Sequence, residues 1–282
     1  MTPLERLAWI ARLRLVGLYL SLLAVGSVLL APFAWLLATA LKSESADLFA
    51  YPPEWIPDPI VWGNFAKAWS ILPFPLYIFN TFFIAITTVL ITLFLCSLTG
   101  YALARMRFRG RKFILYAVLA TTKVPFQVLL IHHFIVTLRL GLVDSYAGVI
   151  LPVAVNAFGI FLMRQAFTTI PIDLEDAARI DGCGDFTIYA RIMLPLVKPA
   201  MATLAAFTFV AQWNDFLWPL VVLKSRDLYT LQLGLASLQG VFGVNWRYIS
   251  AASIIALAPT IAFFLLTQRF FTRGLAAGAV KE

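Results

Sequence analysis

LYIFNTFFIAITTVLITLFLCSLTGYALA, residues Leu76 to Ala104, contains no Asp, Glu, Lys or Arg. As an α-helix it would rise about 43 Å, more than the hydrocarbon core of a bilayer, about 30 Å thick, requires. A strand of a membrane barrel would instead cross in about 10 residues of alternating polarity, and the stretch has no such alternation. Its backbone hydrogen bonds must therefore close within a helix.

Five further apolar runs of helix length flank it: Leu15 to Leu41, Phe113 to Val136, Tyr146 to Phe167, Ala200 to Leu223 and Tyr248 to Phe271. The 282 residues are 61% hydrophobic and 13% charged, far from the balance of a soluble domain. These features predict an all-α integral membrane protein of six transmembrane helices, forming a single transmembrane domain over residues 1–282. There is no repeat of fixed period and no low-complexity tract.

The net charge is +8, and its placement decides what it means. Fifteen of the 22 basic residues fall in alternate connections: Arg6, Arg12 and Arg14; Arg105 to Lys112; Arg164 to Lys198; and Arg269 to Lys281. By the positive-inside rule those segments, and both termini, are cytoplasmic. The basic balance thus reports topology, and no nucleic-acid partner is expected. The first apolar run is too long for the core of a signal peptide, about 7–15 residues. Cys96 and Cys183 sit at different levels of this topology, so no disulfide is expected.

Two connections are unusual. Lys42 to Pro75 holds six prolines with Trp55, Trp62 and Trp69; proline excludes a long helix, and the tryptophans suit a membrane interface, so an ordered external cap is expected. The connection at about 171–199, between the fourth and fifth runs, is too polar to cross a membrane yet carries two helical patterns. Asp173 is a plausible N-cap, with Glu175 and Asp176 in the first turn, where the helix dipole favours negative charge. Gly182 suits the left-handed residue that ends a helix. A second helix is predicted from Asp185 to just before Pro195, apolar along Phe186, Ile188, Tyr189 and Ile192. Ala177 and Ala178 would let another protein approach the backbone closely.

Asp176-Ala177-Ala178, three residues, Gly182, nine residues, Ile192, one residue and Leu194-Pro195 resembles the EAA loop of ABC-importer permeases. The wording around it, with Gln212 to Leu220 and Gln268 to Glu282, resembles the MalG-like permeases of the carbohydrate-uptake family. Here Asp176 stands where the pattern has Glu, although Glu175 precedes it. The resemblance implies a permease subunit of an ATP-driven, binding-protein-dependent sugar importer in a prokaryotic cytoplasmic (inner) membrane. Its implied partners are a second permease subunit, two ATP-binding-cassette ATPase subunits, an extracytoplasmic sugar-binding protein and membrane lipid. It also implies an ATPase-coupling role for Glu175, Asp176, Ala177, Ala178 and Gly182, and a second ATPase contact at Gly278, Ala279, Val280 and Lys281.

The chain has no G-x-x-x-x-G-K-[ST] loop, so no cofactor is expected in it; ATP and Mg would belong to the partner ATPases. It has no H-E-x-x-H, and the adjacent His132 and His133 diverge by about 100° on a helix, so neither a metal site nor an enzymatic activity is expected. Polar groups inside the apolar runs, Lys123, Asn156, Gln212, Asn214 and Asp215, are candidates for the substrate pathway because ionisable or amide groups are costly there. Bonding to a neighbouring helix, or a Lys123–Asp215 pair, is the alternative reading. An ion-driven secondary transporter is the rival function, and a polyol or glycerol phosphate the rival cargo. Pro125, Pro152, Pro219 and Pro259 are expected to kink their helices.

Overall fold

A computed structural model describes residues 3–48, 50–241 and 245–279; the described residues form helices and loops, without strands. Three helices are long and apolar enough to cross a membrane alone: Arg12–Leu41 within α1 (Pro3–Leu41), α3 (Phe74–Arg105), and Trp246–Leu265 within α14 (Trp246–Ala279). A short α2 (Gly63–Ile71) precedes α3.

The other expected crossings are broken. α4 (Arg111–Thr121) and α5 (Phe126–Arg139) meet at 105°. The break falls where Val124, ahead of Pro125, is steered out of the helical region. α6 (Tyr146–Ile150), with a 3-10 turn at Leu151–Val153, meets α7 (Ala157–Thr168) at 49°; Pro152 lies in that turn and Asn156 is extended. The run read as Ala200 to Leu223 is α11 (Lys198–Trp213) and α12 (Leu217–Val222), separated at Asn214–Phe216. Pro259 lies inside α14 without ending it. Between α7 and α11 come α8 (Asp173–Ile180), α9 (Asp185–Thr187), a π turn (Ile188–Met193) and α10 (Leu194–Leu196); α13 (Leu231–Val241) precedes α14.

The chain divides into two compact units. In the unit built from the residues up to Leu72 with Leu238–Leu257, the Pro- and Trp-rich segment is tied down. The Asn64 amide donates to the Ala40 and Lys42 carbonyls at 2.8 and 2.9 Å, satisfying acceptors that the end of α1 leaves open. Lys42 lies 5.0 Å over the Trp35 ring, which meets Trp55 edge-on. Glu44 accepts from the Tyr248 hydroxyl at 2.7 Å and from Lys67 at 3.1 Å, and these contacts hold its carboxyl below the usual range.

In the other unit, Pro73–Ser237 with Ala258 onward, α3 is the central rod and packs chiefly against α7 and α11. The approach to α7 depends on glycine: a Cβ on Gly100 would stand 2.7 Å from the Met163 Cβ and 2.9 Å from the Arg164 nitrogen. Small residues are what let membrane helices pack backbone to backbone. Gly100→Val is accordingly expected to destabilise the chain by about 1–3 kcal/mol, read as a lower thermal midpoint in detergent; an unchanged midpoint would contradict this packing. The resulting core contains Cys96, Tyr101, Met163, Phe167, Ile188 and Leu204.

At the opposite end of α3, Asn80 is fully buried. Its amide donates to the Asp227 and Tyr229 carbonyls at 2.8 and 2.9 Å, and its oxygen accepts from the Tyr146 hydroxyl at 2.7 Å. Asp144, at φ 60°, accepts from the Lys224 and Ser225 amides at 2.8 and 2.9 Å. Together these side chains fasten the connection after α12 to both α3 and the start of α6.

Candidate coupling site

The polar helix–turn–helix at 171–199 is fastened to the α3–α7 core. Ile172, not Asp173, takes the N-cap position of α8, with no side-chain cap; Asp173, Glu175 and Asp176 still supply negative charge to the first turn. The helix ends as its sequence predicts. Gly182 adopts φ +82°, its amide donates to the Arg179 carbonyl at 3.0 Å, and the Cys183 amide donates to the Ala178 carbonyl at 2.9 Å. This is the Schellman closure that glycine permits without strain.

The five residues read from sequence as one contact set are divided by the helix phase. Glu175 (1% exposed) and Ala178 (5%) face the chain's own core, as positions three apart on a helix do. Asp176 and Ala177 are exposed, and so are Ile172, Leu174 and Ile180. Glu175 does not point outward toward a partner. Its carboxylate lies 3.0 Å from the Arg105 guanidinium, both side chains being buried.

Arg105 is the residue that sequence reasoning missed, since it was read there only as a charge marking topology. Besides pairing with Glu175, it donates to the Phe167 carbonyl at 2.7 Å and to that of Ile170. It therefore joins the last turn of α3, the end of α7 and α8 at one guanidinium, whose planar fork suits several acceptors at once. The one available signal was its place in the last turn of a long apolar helix. On the surface, Arg179 lies within 3.8 Å of Glu175, 3.6 Å of Asp176 and 3.3 Å of Asp185, spanning the turn.

The second helix begins at Asp185 but does not stop before Pro195. It continues through the π turn to Leu196, with the Leu194 amide donating to the Tyr189 carbonyl. A π turn carries an extra residue, so the missing Pro195 donor and the bulk of its ring are absorbed without a break. Tyr189 is buried: its hydroxyl lies 2.7 Å from that of Ser97, and its ring packs on Tyr101 and Phe167. Phe186 is 69% exposed.

The polar residues of the apolar runs do not form one cluster. Lys123 is exposed in the break between α4 and α5, and no ion pair joins it to Asp215 among the described residues. Asn156 caps α7, accepting from the Gly159 amide at 2.8 Å. Asn214 is exposed and donates to the Val210 carbonyl. Asp215 is half-buried and accepts from the Trp218 amide at 3.4 Å, at the start of α12. Gln212 Oε1 and Trp213 Nε1 are buried without a hydrogen-bond partner among the described residues. His133 Nδ1 lies 2.9 Å from the Leu129 carbonyl, with its ring against Phe126 and Trp218. Gly278 and Ala279 fall in the last turn of α14; Val280 and Lys281 lie outside the described residues.

A multi-pass helical bundle with a polar helix–turn–helix locked to the end of its central helix is the architecture of a transport permease. The chain belongs to the family of the binding-protein-dependent transport system inner membrane component, whose pattern matches residues 96–276. This is a family of transport permeases, not of enzymes. The arabinooligosaccharides transport system permease protein AraQ of Bacillus subtilis (strain 168) is 42% identical over 205 residues, 73% of each chain. The sn-glycerol-3-phosphate transport system permease protein UgpE of Yersinia enterocolitica is 32% identical over 262 residues, 90% of this chain and 93% of that one. Among solved structures, a chain of a bacterial ABC transporter involved in the import of the acidic polysaccharide alginate superposes with a TM-score of 0.79. It is 24% identical and covers 96% of this chain and 99% of that one, a likeness of fold.

Proposed function

We propose that this permease forms half of the translocation pathway of a sugar importer in a prokaryotic inner membrane, and that residues 171–199 couple it to an ATPase. In this reading the bundle crosses the membrane six times, as α1, α3, the three broken pairs and α14, with both termini cytoplasmic. The fifth crossing is α11 with α12 rather than residues 185–196 with α11, because beyond Lys198, which opens α11 in either case, the former carries only Asp215, at its break, whereas the latter adds both Asp185 and Arg191. The names of the relatives support a carbohydrate or related polyol cargo. A second permease subunit, an extracytoplasmic binding protein and two ATPase subunits, which hold ATP and Mg, complete the machine.

The observation that carries the coupling role is the asymmetry of α8. One face is locked inside by Arg105 and Glu175, while Asp176, Ala177 and the 86%-exposed Ile180 are left outward, an apolar and small-residue face that calls for a protein partner. Gly278, Ala279, Val280 and Lys281 supply a second ATPase contact. Gln212 and Trp213, whose buried polar atoms lack partners among the described residues, and the neighbouring Asn214 and Asp215 are the pathway candidates, since a sugar needs both hydrogen-bonding groups and flat apolar faces.

Co-purification tests the assembly: a gently solubilised, tagged chain should bring a second permease and a Walker-motif ATPase, whereas a homo-oligomer transporting unaided would overturn it. Asp215 tests the pathway. Asp215→Asn keeps an acceptor for the Trp218 amide, so assembly should persist while transport falls about tenfold or more if the charge serves cargo or its gating. Unchanged uptake would leave Asp215 a cap alone.

A further inference from the structure

We propose that the cleft at the start of α4 binds the headgroup of an anionic phospholipid. The cleft has a volume of about 570 Å3, and its lining includes Arg107, Arg111, Lys112 and Arg164 with Phe108 and Phe113, and no carboxylate. Arg111 is already engaged: its guanidinium donates to the Leu103 and Ala104 carbonyls at 2.8 Å each and to Met106 at 3.2 Å, closing the end of α3. Arg107 and Lys112 are exposed and make no ion pair among the described residues. Arg164 reaches Gln165 through Nη1, but its Nε is buried without a hydrogen-bond partner among the described residues.

The backbone adds to this positive field. α4 starts after Gly110, at φ +84°, with no side-chain cap and no acid in its first turn, where Arg111 and Lys112 stand instead. Unpaired amide donors and the positive end of the helix dipole are thus combined with like charges. An anion resolves that conflict, and a phosphodiester offers the acceptor oxygens that arginine and helix amides bind.

The aromatic surface at the cleft and continuing beyond it identifies the source of the phosphate. On the same helix Phe113 is 77% exposed and Tyr116 66%, providing an aromatic, apolar track for acyl chains beside the charged pocket. Basic pockets between membrane helices take anionic headgroups in this way. The inference rests on the chain being embedded in a membrane, and not on its cargo or coupling.

Native mass spectrometry of the full chain with its co-purified subunits, titrated with dioleoyl phosphatidylglycerol or dioleoyl phosphatidylcholine, tests the site. Phosphatidylglycerol should be retained preferentially. Arg107→Gln and Lys112→Gln should each weaken that retention about fivefold, while Arg139→Gln with Lys224→Gln, which removes two charges elsewhere, should leave it unchanged. Both cleft residues are exposed, so an unaltered melting temperature is expected for their variants. Equal retention of the two lipids, or equal loss in the control variant, would overturn the proposal. So would displacement of the lipid by millimolar inorganic phosphate, which would mark a free-anion site, or release of an acidic partner subunit by the variants with no change in lipid.

Discussion

Arg105→Met is expected to destabilise the chain by about 3–5 kcal/mol, the range for removing one partner of a buried ion pair. The buried Glu175 carboxylate would lose its partner at 3.0 Å and keep only the part-exposed Arg179, 3.8 Å away, and the Phe167 and Ile170 carbonyls would lose their donor. Adding Glu175→Met should recover much of the stability, since the poorly compensated buried charge is then gone. Coupling should not recover, because apolar packing at Ala178 would remain but no polar side chain would tie α8 to the ends of α3 and α7. The discriminating measurement is ATP hydrolysis against uptake in reconstituted vesicles: the double variant should hydrolyse ATP while transporting poorly. Restored transport in that variant would reduce the ion pair to a folding element.

Gly182→Val should separate the same two activities by another route. A β-branched side chain at φ +82° is strained by about 1–3 kcal/mol, and relieving it costs the two amide–carbonyl bonds that close α8. The space around Gly182 is open, with nothing within 4 Å of where a Cβ would stand, so the penalty is one of backbone conformation and not of collision. Gly182→Asn, which tolerates the left-handed region, should therefore keep transport close to that of the parent. If Val and Asn behave alike, the turn's conformation is not what coupling needs.

The helical class was legible from Leu76 to Ala104 alone, because an uncharged run of that length has few other solutions. The breaks inside the other runs were less so. Pro125 and Pro152 announce bends and the chain does break beside both, whereas Asn214 is compatible with a continuous helix and only the tertiary setting shows that it marks a break. At the candidate site the turn was readable from Gly182, since one backbone conformation demands it, whereas the facing of α8 was not. Over eight residues, a helix with acids on several sides does not reveal which acid turns inward. Glu175 and Asp176 are adjacent and chemically alike; the partner that distinguishes them, Arg105, lies 70 residues earlier in the chain. Pro195 misled for a related reason, because a proline stop presumes an α-helical turn, and the chain widens that turn instead.

α3 is unbroken from Asn80 to Arg105, about 37 Å of rigid rod at about 1.5 Å per residue. Arg105 at one end grips the helix–turn–helix, and Asn80 at the other grips the connection after α12. Such a rod has little slack: a tilt of about 10° imposed at one end carries the other through about 6 Å. The broken helices around it can yield at their joints, so a push at one surface would emerge at the other as a swing of the Asn80 end, with gearing set by the length of α3 and by where along it the neighbouring helices provide the fulcrum.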